Sequence, residues 1–198
     1  MDKRVIVLAT SNEGKRSEFA HALSETGYEL ITLPEHVQMP EETGATFQEN
    51  ALLKARSVCA QTGLPALADD SGLEVAALQG APGVYSARYA GAQATDGQNI
   101  TKLLQALHGV TGKGRQARFV CALAFVTPDD SVCLEVQGQC VGEITHSPVG
   151  TAGFGYDPVF YYEPLRATFA QLSPSQKNLV SHRAQALVLL REVWRARK

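Results

Sequence analysis

The sequence predicts an α/β protein, a mixed β-sheet with helices packed on it. In the first third of the chain, short apolar runs such as Val5-Ile6-Val7-Leu8-Ala9 alternate with amphipathic stretches, the pattern of strands joined by helices. Later strands follow one another across turns, the pattern of hairpins. The 198 residues are 44% hydrophobic, enough for a sizeable core within one domain that spans residues 1–198.

Residues 4–9 form a buried strand, since apolar side chains run without alternation between polar flanks. A helix follows from about Gly14 to Thr26, with Phe19, Ala22 and Leu23 inward and Gly27 closing it. A second strand covers 28–33, then a loop holds Pro40-Glu41-Glu42-Thr43-Gly44. Thr46-x-x-Glu49 is a capping box that opens a helix ending near Gly63, with Phe47, Ala51, Ala55 and Val58 inward. Residues 66–69 and 72–78 read as two short strands on either side of an acidic turn. Residues 79–94, with Gly80, Pro82, Gly83 and Gly91, read as loop. Thr95-x-x-Gln98 caps a helix reaching His108, and the glycines of 110–116 suggest a mobile link. Strands at 119–126 and 132–144 flank the turn Pro128-Asp129-Asp130. A glycine-rich loop at 150–158 leads to a short strand at 159–162. Ser173-Pro174 starts a last helix that runs to about Arg195, with Val180, Ala184, Leu187, Leu190 and Trp194 on one face.

Composition narrows the function. With 18 Lys and Arg against 20 Asp and Glu, the formal charge of -2 gives no global basic field for nucleic acid, so an anionic ligand needs a local cationic cluster. Cys59, Cys121, Cys133 and Cys140 lack C-x-x-C spacing and read as buried free thiols, which implies a reducing, cytoplasmic compartment. No apolar run approaches the roughly 20 residues of a membrane span. The first strand begins by Arg4, leaving no room for a signal peptide.

The chemistry concentrates in a few motifs. Asp69 and Asp70 sit side by side after the apolar run 64–68, before Ser71-Gly72. Two adjacent carboxylates resist joint ionisation unless a cation joins them, and carboxylates with water and phosphate are the usual ligands of Mg²⁺; an Asx-turn is the plainer account. Thr10-Ser11-Asn12-Glu13-Gly14-Lys15 joins a strand to a helix N-terminus. Its hydroxyls, amide, backbone N–H groups and lysine suit a phosphate, although it is no Walker loop. Asn50 and Lys54 lie four apart and share a helix face. In Gly153-Phe154-Gly155-Tyr156-Asp157-Pro158, glycines give clearance around a ring that could stack on a base, and Asp157 offers an acceptor; a tight turn with core aromatics is the alternative. Lys177, His182 and Arg183 add donors near the start of the last helix.

These segments, with Phe47-Gln48-Glu49-Asn50-Ala51-x-x-Lys54-Ala55, Gly83-Val84-Tyr85-Ser86-Ala87-Arg88-Tyr89 and Ser181-His182-Arg183-Ala184, occur in an order that resembles the inosine-triphosphate pyrophosphatase family of non-standard purine nucleotide pyrophosphatases. The bacterial dITP/XTP pyrophosphatase branch fits best, and Ser11 stands where many members have glycine. The resemblance implies a two-lobed fold with a long mixed sheet and a substrate cleft between the lobes. It implies a homodimer and Mg²⁺-dependent hydrolysis of ITP, dITP or XTP to the monophosphate and pyrophosphate. It further implies that Asp70 is proton acceptor and metal ligand. Glu41 is the second ligand, with Glu42 the alternative through the loop. Thr10, Ser11, Asn12, Glu13, Gly14, Lys15 and Lys54 hold phosphates, with Ser71 alongside. Phe154, Gly155, Tyr156, Asp157, Lys177, His182 and Arg183 hold the base and its flanks. Neither nucleic acid nor a membrane is an expected partner.

Overall fold

A computed structural model describes residues 4–10, 12–23 and 28–196. The elements in chain order are β1 (Arg4–Leu8), α1 (Glu13–Leu23), β2 (Tyr28–Ile31), α2 (Phe47–Thr62), β3 (Ala66–Val75), α3 (Asp96–Ala106), β4 (Gln116–Val126), β5 (Cys133–Ile144), β6 (Phe160–Tyr162), β7 (Ala167–Thr168), α4 (Pro174–Val180) and α5 (His182–Ala196). The strands form one open mixed sheet in the order β2-β1-β3-β4-β5-β6-β7. β1 runs parallel to β2, with Val5 opposite Glu29, and to β3, with Val7 opposite Ala66. β5 and β6 are antiparallel with Ile144 opposite Phe160, and β6 and β7 are antiparallel with Tyr161 opposite Thr168.

The chain divides into two compact units. One contains residues up to 70, 121–138 and 183 onward; the other contains 71–120 and 139–182. In the first unit, Ile6 and Leu8 of β1, Leu67 of β3, and Cys121, Leu123 and Phe125 of β4 pack with Phe19 and Leu23 of α1 and with Ala186, Leu187 and Leu190 of α5. Because side chains alternate along a strand, this is one face of the sheet. The opposite face carries Val7, Ala66, Ala68, Ala122 and Ala124, all buried. The second unit has its own core of Leu73, Val75, Ile100, Leu103, Leu107, Phe119, Ile144, Tyr156, Phe160 and Phe169.

Local signals set most boundaries. The capping box of α2 forms as expected: Thr46 Oγ1 accepts the Glu49 N–H at 3.2 Å, and Glu49 returns to the Thr46 N–H. Gly63, at φ 65°, ends the helix in the left-handed region that suits glycine. α3 has the same arrangement at Thr95 and Gln98, and α4 at Ser173 and Gln176. The Thr127 N–H donates to Val132 O at 3.0 Å and closes the β4–β5 hairpin. The expected end of α1 at Thr26 and its Gly27 cap lie outside the described residues, as does the side chain of Ala22.

Four expectations are corrected. The acidic turn does not exist: residues 66–75 form one continuous strand through Asp69 and Asp70. Asp-Asp-Ser-Gly has turn composition, but its place in β3, which pairs with β1 at Ala66 and Leu67 and has β4 on its other edge, overrides that preference. The last helix is two helices, because Ser181 is extended (φ -69°, ψ 157°) and its N–H donates to Lys177 O at 2.9 Å. Val180 therefore packs on the second unit's core, while Leu187, Leu190 and Trp194 belong to the first. The link at 110–116 contains a 3₁₀ turn, Gly112–Arg115, pinned by the buried Arg115 guanidinium, which donates to Ile144 O (2.6 Å), Leu107 O (3.1 Å) and Thr145 O (2.6 Å). The loop at 79–94 is likewise ordered around a 3₁₀ stretch, Gly83–Arg88.

Candidate active site

The first unit gathers its charges around Asp69 and Asp70. As neighbours in a strand, the two side chains point to opposite faces. Asp69 is on the Leu67 face, under α1 and α5; Asp70 is on the α2 face. The mutual repulsion expected of a paired-carboxylate turn is thereby divided between two environments.

On the first face, Lys15 Nζ lies 2.9 Å from Asp69 Oδ2, and Arg183 Nη2 lies 3.3 Å from the same oxygen. Glu18, one turn beyond Lys15 on α1, pairs with Arg183 through the other guanidinium nitrogen. Burial alone would push Asp69 up, but Lys15, then Arg183, then Lys54 hold it well below the usual carboxylate range. Burial likewise disfavours the Arg183 charge, and Asp69 chiefly restores it, with Glu18 assisting.

On the second face, Lys54 Nζ donates to Asp70 Oδ1 at 3.1 Å and to Glu42 Oε1 at 2.7 Å. The Asn50 side chain, fully buried, donates to Asp70 Oδ2 at 3.1 Å and accepts the Gly44 N–H at 2.7 Å. Asn50 thus ties the acidic loop to α2. A Cβ on Gly44 would lie 2.7 Å from Asn50 Oδ1, so only glycine allows this close approach. Asp70 is pushed above its ordinary value by burial, which Lys54 offsets only in part and the Glu42 charge reinforces. Lys54 itself is held above its usual range: burial opposes its charge, but Asp69, Asp70 and Glu42 together prevail. The asymmetry is physical, since the ammonium has three carboxylates near it whereas Asp70 shares one close ammonium with another acid. Asp70 is the group here whose environment favours taking up a proton.

The N-terminal segment leads into a helix start capped by its own side chains. Thr10 Oγ1 accepts the Asn12 N–H at 3.2 Å, and Asn12 Oδ1 accepts the Lys15 N–H at 3.0 Å, capping α1. Gly14 is half-buried in the first turn, and Glu13 is exposed and paired with Arg16 at 3.2 Å. Ser11 lies outside the described residues. Of the two loop acids, Glu42 is brought to Lys54, while Glu41 is exposed. No group of three or more His, Cys, Asp or Glu gathers as a metal set among the described residues. The donor chemistry nonetheless fits a hard divalent cation. Asp70 and Glu42 converge on one positive charge, and Mg²⁺ commonly takes one or two carboxylates and completes its shell with water and phosphate.

The second unit holds the glycine-flanked aromatic loop. Asp157 Oδ2 accepts the Phe154 N–H at 3.0 Å and pairs with Lys177 Nζ at 2.6 Å, and that ammonium stands 4.4 Å from the Phe154 ring centroid. Gly153 has φ 77°, and a Cβ there would lie 2.0 Å from Asp157 Oδ2. The Tyr156 hydroxyl donates to Ser86 O at 2.9 Å, which makes Tyr156 a buried anchor of the loop. The Gly155 N–H donates to Asp96 Oδ2 at 2.7 Å. His182 is buried and stacks on Phe119 at 4.7 Å. Ser71, half-buried, is the first residue of this unit.

Sequence reasoning placed Arg183 beside His182 as a base donor, but their structural surroundings differ. His182 packs with the second unit's aromatics, whereas Arg183 is 1% exposed and engaged by Asp69 and Glu18. Asn50 was singled out in the sequence as sharing a helix face with Lys54 but given no role in the site, and Glu18 was not singled out. Their signals were present, four residues before Lys54 and three after Lys15. Asp96 gave no signal beyond that of an ordinary acidic first turn.

The open mixed sheet and the split carboxylate pair, with a capped lysine-bearing helix start on one side and a lysine–carboxylate bridge on the other, define an α/β protein equipped for an anionic ligand. The sequence model of the Ham1 family matches residues 6–193, and the chain belongs to that family. The dITP/XTP pyrophosphatase of Idiomarina loihiensis is 50% identical over 198 residues, covering 97% of this chain and 98% of that protein. Among solved structures, a HAM1 protein from Coxiella burnetii superposes with a TM-score of 0.90 at 47% identity, covering 98% of this chain and 99% of its own. The Ham1 protein of Staphylococcus aureus gives 0.88 at 43%, covering 98% and 100%.

Proposed function

We propose that this protein hydrolyses non-standard purine nucleoside triphosphates, ITP, dITP and XTP, to the monophosphate and pyrophosphate, clearing them from the nucleotide pool. The observation that carries this reading is the Asp70 carboxyl, buried, biased toward proton uptake and held between Asn50 and Lys54. It occurs in a chain about half identical to a protein named for that activity.

In this reading Asp70 accepts the proton of the attacking water, a role suited to a carboxyl that burial pushes above its ordinary value. Lys15 and the α1 N-terminus bind phosphate oxygens, and Lys54 holds Asp70 and Glu42 in register. Asp70 and Glu42 would hold Mg²⁺, which when bound supplies charge neutralisation and a more acidic water. The second unit's loop serves the base. Phe154 offers a ring face, and Lys177 and His182 are donors for a 6-keto oxygen, where adenine presents a donor of its own. Such a mismatch costs about 1–3 kcal/mol and sets the preference for keto purines. A homodimer is part of the proposal, supported by the exposed apolar side chains of Tyr85, Val141 and Leu179. A cytoplasmic location is supported by the four free thiols.

The test is Asp70→Asn. It should lower kcat on ITP by about 100-fold or more, the usual weight of a general base, with retained circular dichroism. Turnover within twofold of the parent protein would exclude Asp70 as the proton acceptor.

A further inference from the structure

We infer that Asp96 is a positioning residue for substrate recognition: from the start of α3 it fixes the loop that presents Phe154. The inference rests on the reading of Phe154 as the base-facing ring.

The loop 153–157 is poor in constraints of its own. Gly153 and Gly155 both occupy the left-handed region, at φ 77° and 61°, so their backbone is free to leave it. Lys177, paired with Asp157 and standing 4.4 Å from the Phe154 ring centroid, offsets part of that freedom, as does the Asp157 N–H, which donates to Phe154 O at 3.3 Å; three further hydrogen bonds act with them. Asp157 accepts the Phe154 N–H from within the loop, the Tyr156 hydroxyl reaches Ser86 O, and Asp96 accepts the Gly155 N–H at 2.7 Å. The first two hold Phe154 from the buried side. The third is the exposed one, and it grips the peptide N–H immediately after Phe154 from a separate helix, so it ties the presentation of the ring to α3.

Asp96 is well placed to do this. It is the first residue of α3, directly after the Thr95 cap, whose capping box with Gln98 fixes the backbone there. The helix is seated through Ile100 and Leu103 in the same core that contains Tyr156. The carboxylate is therefore carried on a rigid element and reaches across 59 residues of sequence to the loop. An acidic residue in a first helical turn is usually explained by the helix dipole. Here its oxygen is spent on a loop N–H instead, an arrangement that capping alone does not require.

The experiment compares Asp96→Ala and Asp96→Asn, using steady-state hydrolysis of ITP and inhibition by pyrophosphate, which has no base. Loss of one hydrogen bond to the loop should raise KM for ITP by about 3- to 10-fold, with kcat and the pyrophosphate inhibition constant unchanged. Asp96→Asn keeps an oxygen acceptor and should restore KM to within about twofold. An unchanged KM in Asp96→Ala overturns the inference. So does a rise matched by weaker pyrophosphate inhibition, which would mean general damage. Phe154→Ala separates the two readings: if it leaves KM for ITP unchanged, the base platform is elsewhere and the inference falls with it. If it raises KM while Asp96→Ala does not, only the role of Asp96 is refuted.

Discussion

Replacing Asp69 by Asn isolates the buried charge network of the first unit. The Asp69 side chain is fully buried and that of Arg183 is 1% exposed. Asn is nearly isosteric, so packing is preserved while the negative charge is lost. Arg183 would then keep Glu18 but lose Asp69, and Lys15 would lose the carboxylate 2.9 Å away. Removing one partner of a buried pair typically costs about 3–5 kcal/mol, because the remaining charge stays desolvated. For a chain of this length each kcal/mol moves the melting temperature by about 2–4 °C, so the loss should be about 6–20 °C. Urea titration of metal-free protein at pH 7, with linear extrapolation, gives the free energy directly. The pH dependence supplies an independent check. The folded Asp69 carboxyl lies below its unfolded value of about 3.9, so the unfolded state binds more protons in the window beneath that value. The stabilisation is complete above about pH 5 and drains away as pH falls through the folded value. Asp69→Asn should therefore be less stable at pH 7 yet lose less on acidification to pH 3. A free-energy loss below about 1 kcal/mol at pH 7 would mean that desolvation cancels the attraction in this network, and the reasoning would be refuted.

Gly153→Ala should be disproportionately harmful for a single methyl: the Cβ would meet Asp157 Oδ2 at 2.0 Å in a left-handed backbone. It should cost about 1–3 kcal/mol and raise KM for ITP; a variant of parental stability and KM would show that the loop is plastic. Asp70→Asn should cost less stability than Asp69→Asn. The folded Asp70 carboxyl lies above its unfolded value, so its ionisation opposes folding once pH exceeds the unfolded value. Lys54 keeps Glu42 at 2.7 Å when this carboxylate is neutralised, so the variant that loses turnover should be destabilised less at pH 7 than Asp69→Asn, and a larger loss would count against this reasoning.

The legible parts of this molecule are those whose cause is local. The capping boxes at Thr46, Thr95 and Ser173 fixed helix starts to within a residue, and the apolar run of β1 announced a buried strand. Asn50 and Lys54, four apart, do reach the same carboxylate. What escaped has causes distant in sequence. Asp69 and Asp70 look like a turn because nothing nearby reveals that Lys15 and Arg183 will neutralise one while Asn50 and Lys54 hold the other. Without those partners, two acids could not lie inside a central strand. The resemblance favours Glu41 over Glu42, and nothing in the sequence shows that the loop, tied to α2 by the Gly44–Asn50 contact, brings Glu42 to Lys54. The break at Ser181 divides what reads as one amphipathic face between two cores. The Glu18–Arg183 pair, 165 residues apart, has no local signature.

The most direct test of the whole account is product analysis. Purified protein with Mg²⁺ is incubated with ITP, dITP, XTP, ATP and GTP, and the nucleotides, pyrophosphate and orthophosphate are separated by ion-exchange chromatography. The account predicts monophosphate and pyrophosphate in equal amounts from the first three, with far slower turnover of ATP. Release of orthophosphate with a diphosphate intermediate, or equal rates on ATP and ITP, would contradict it.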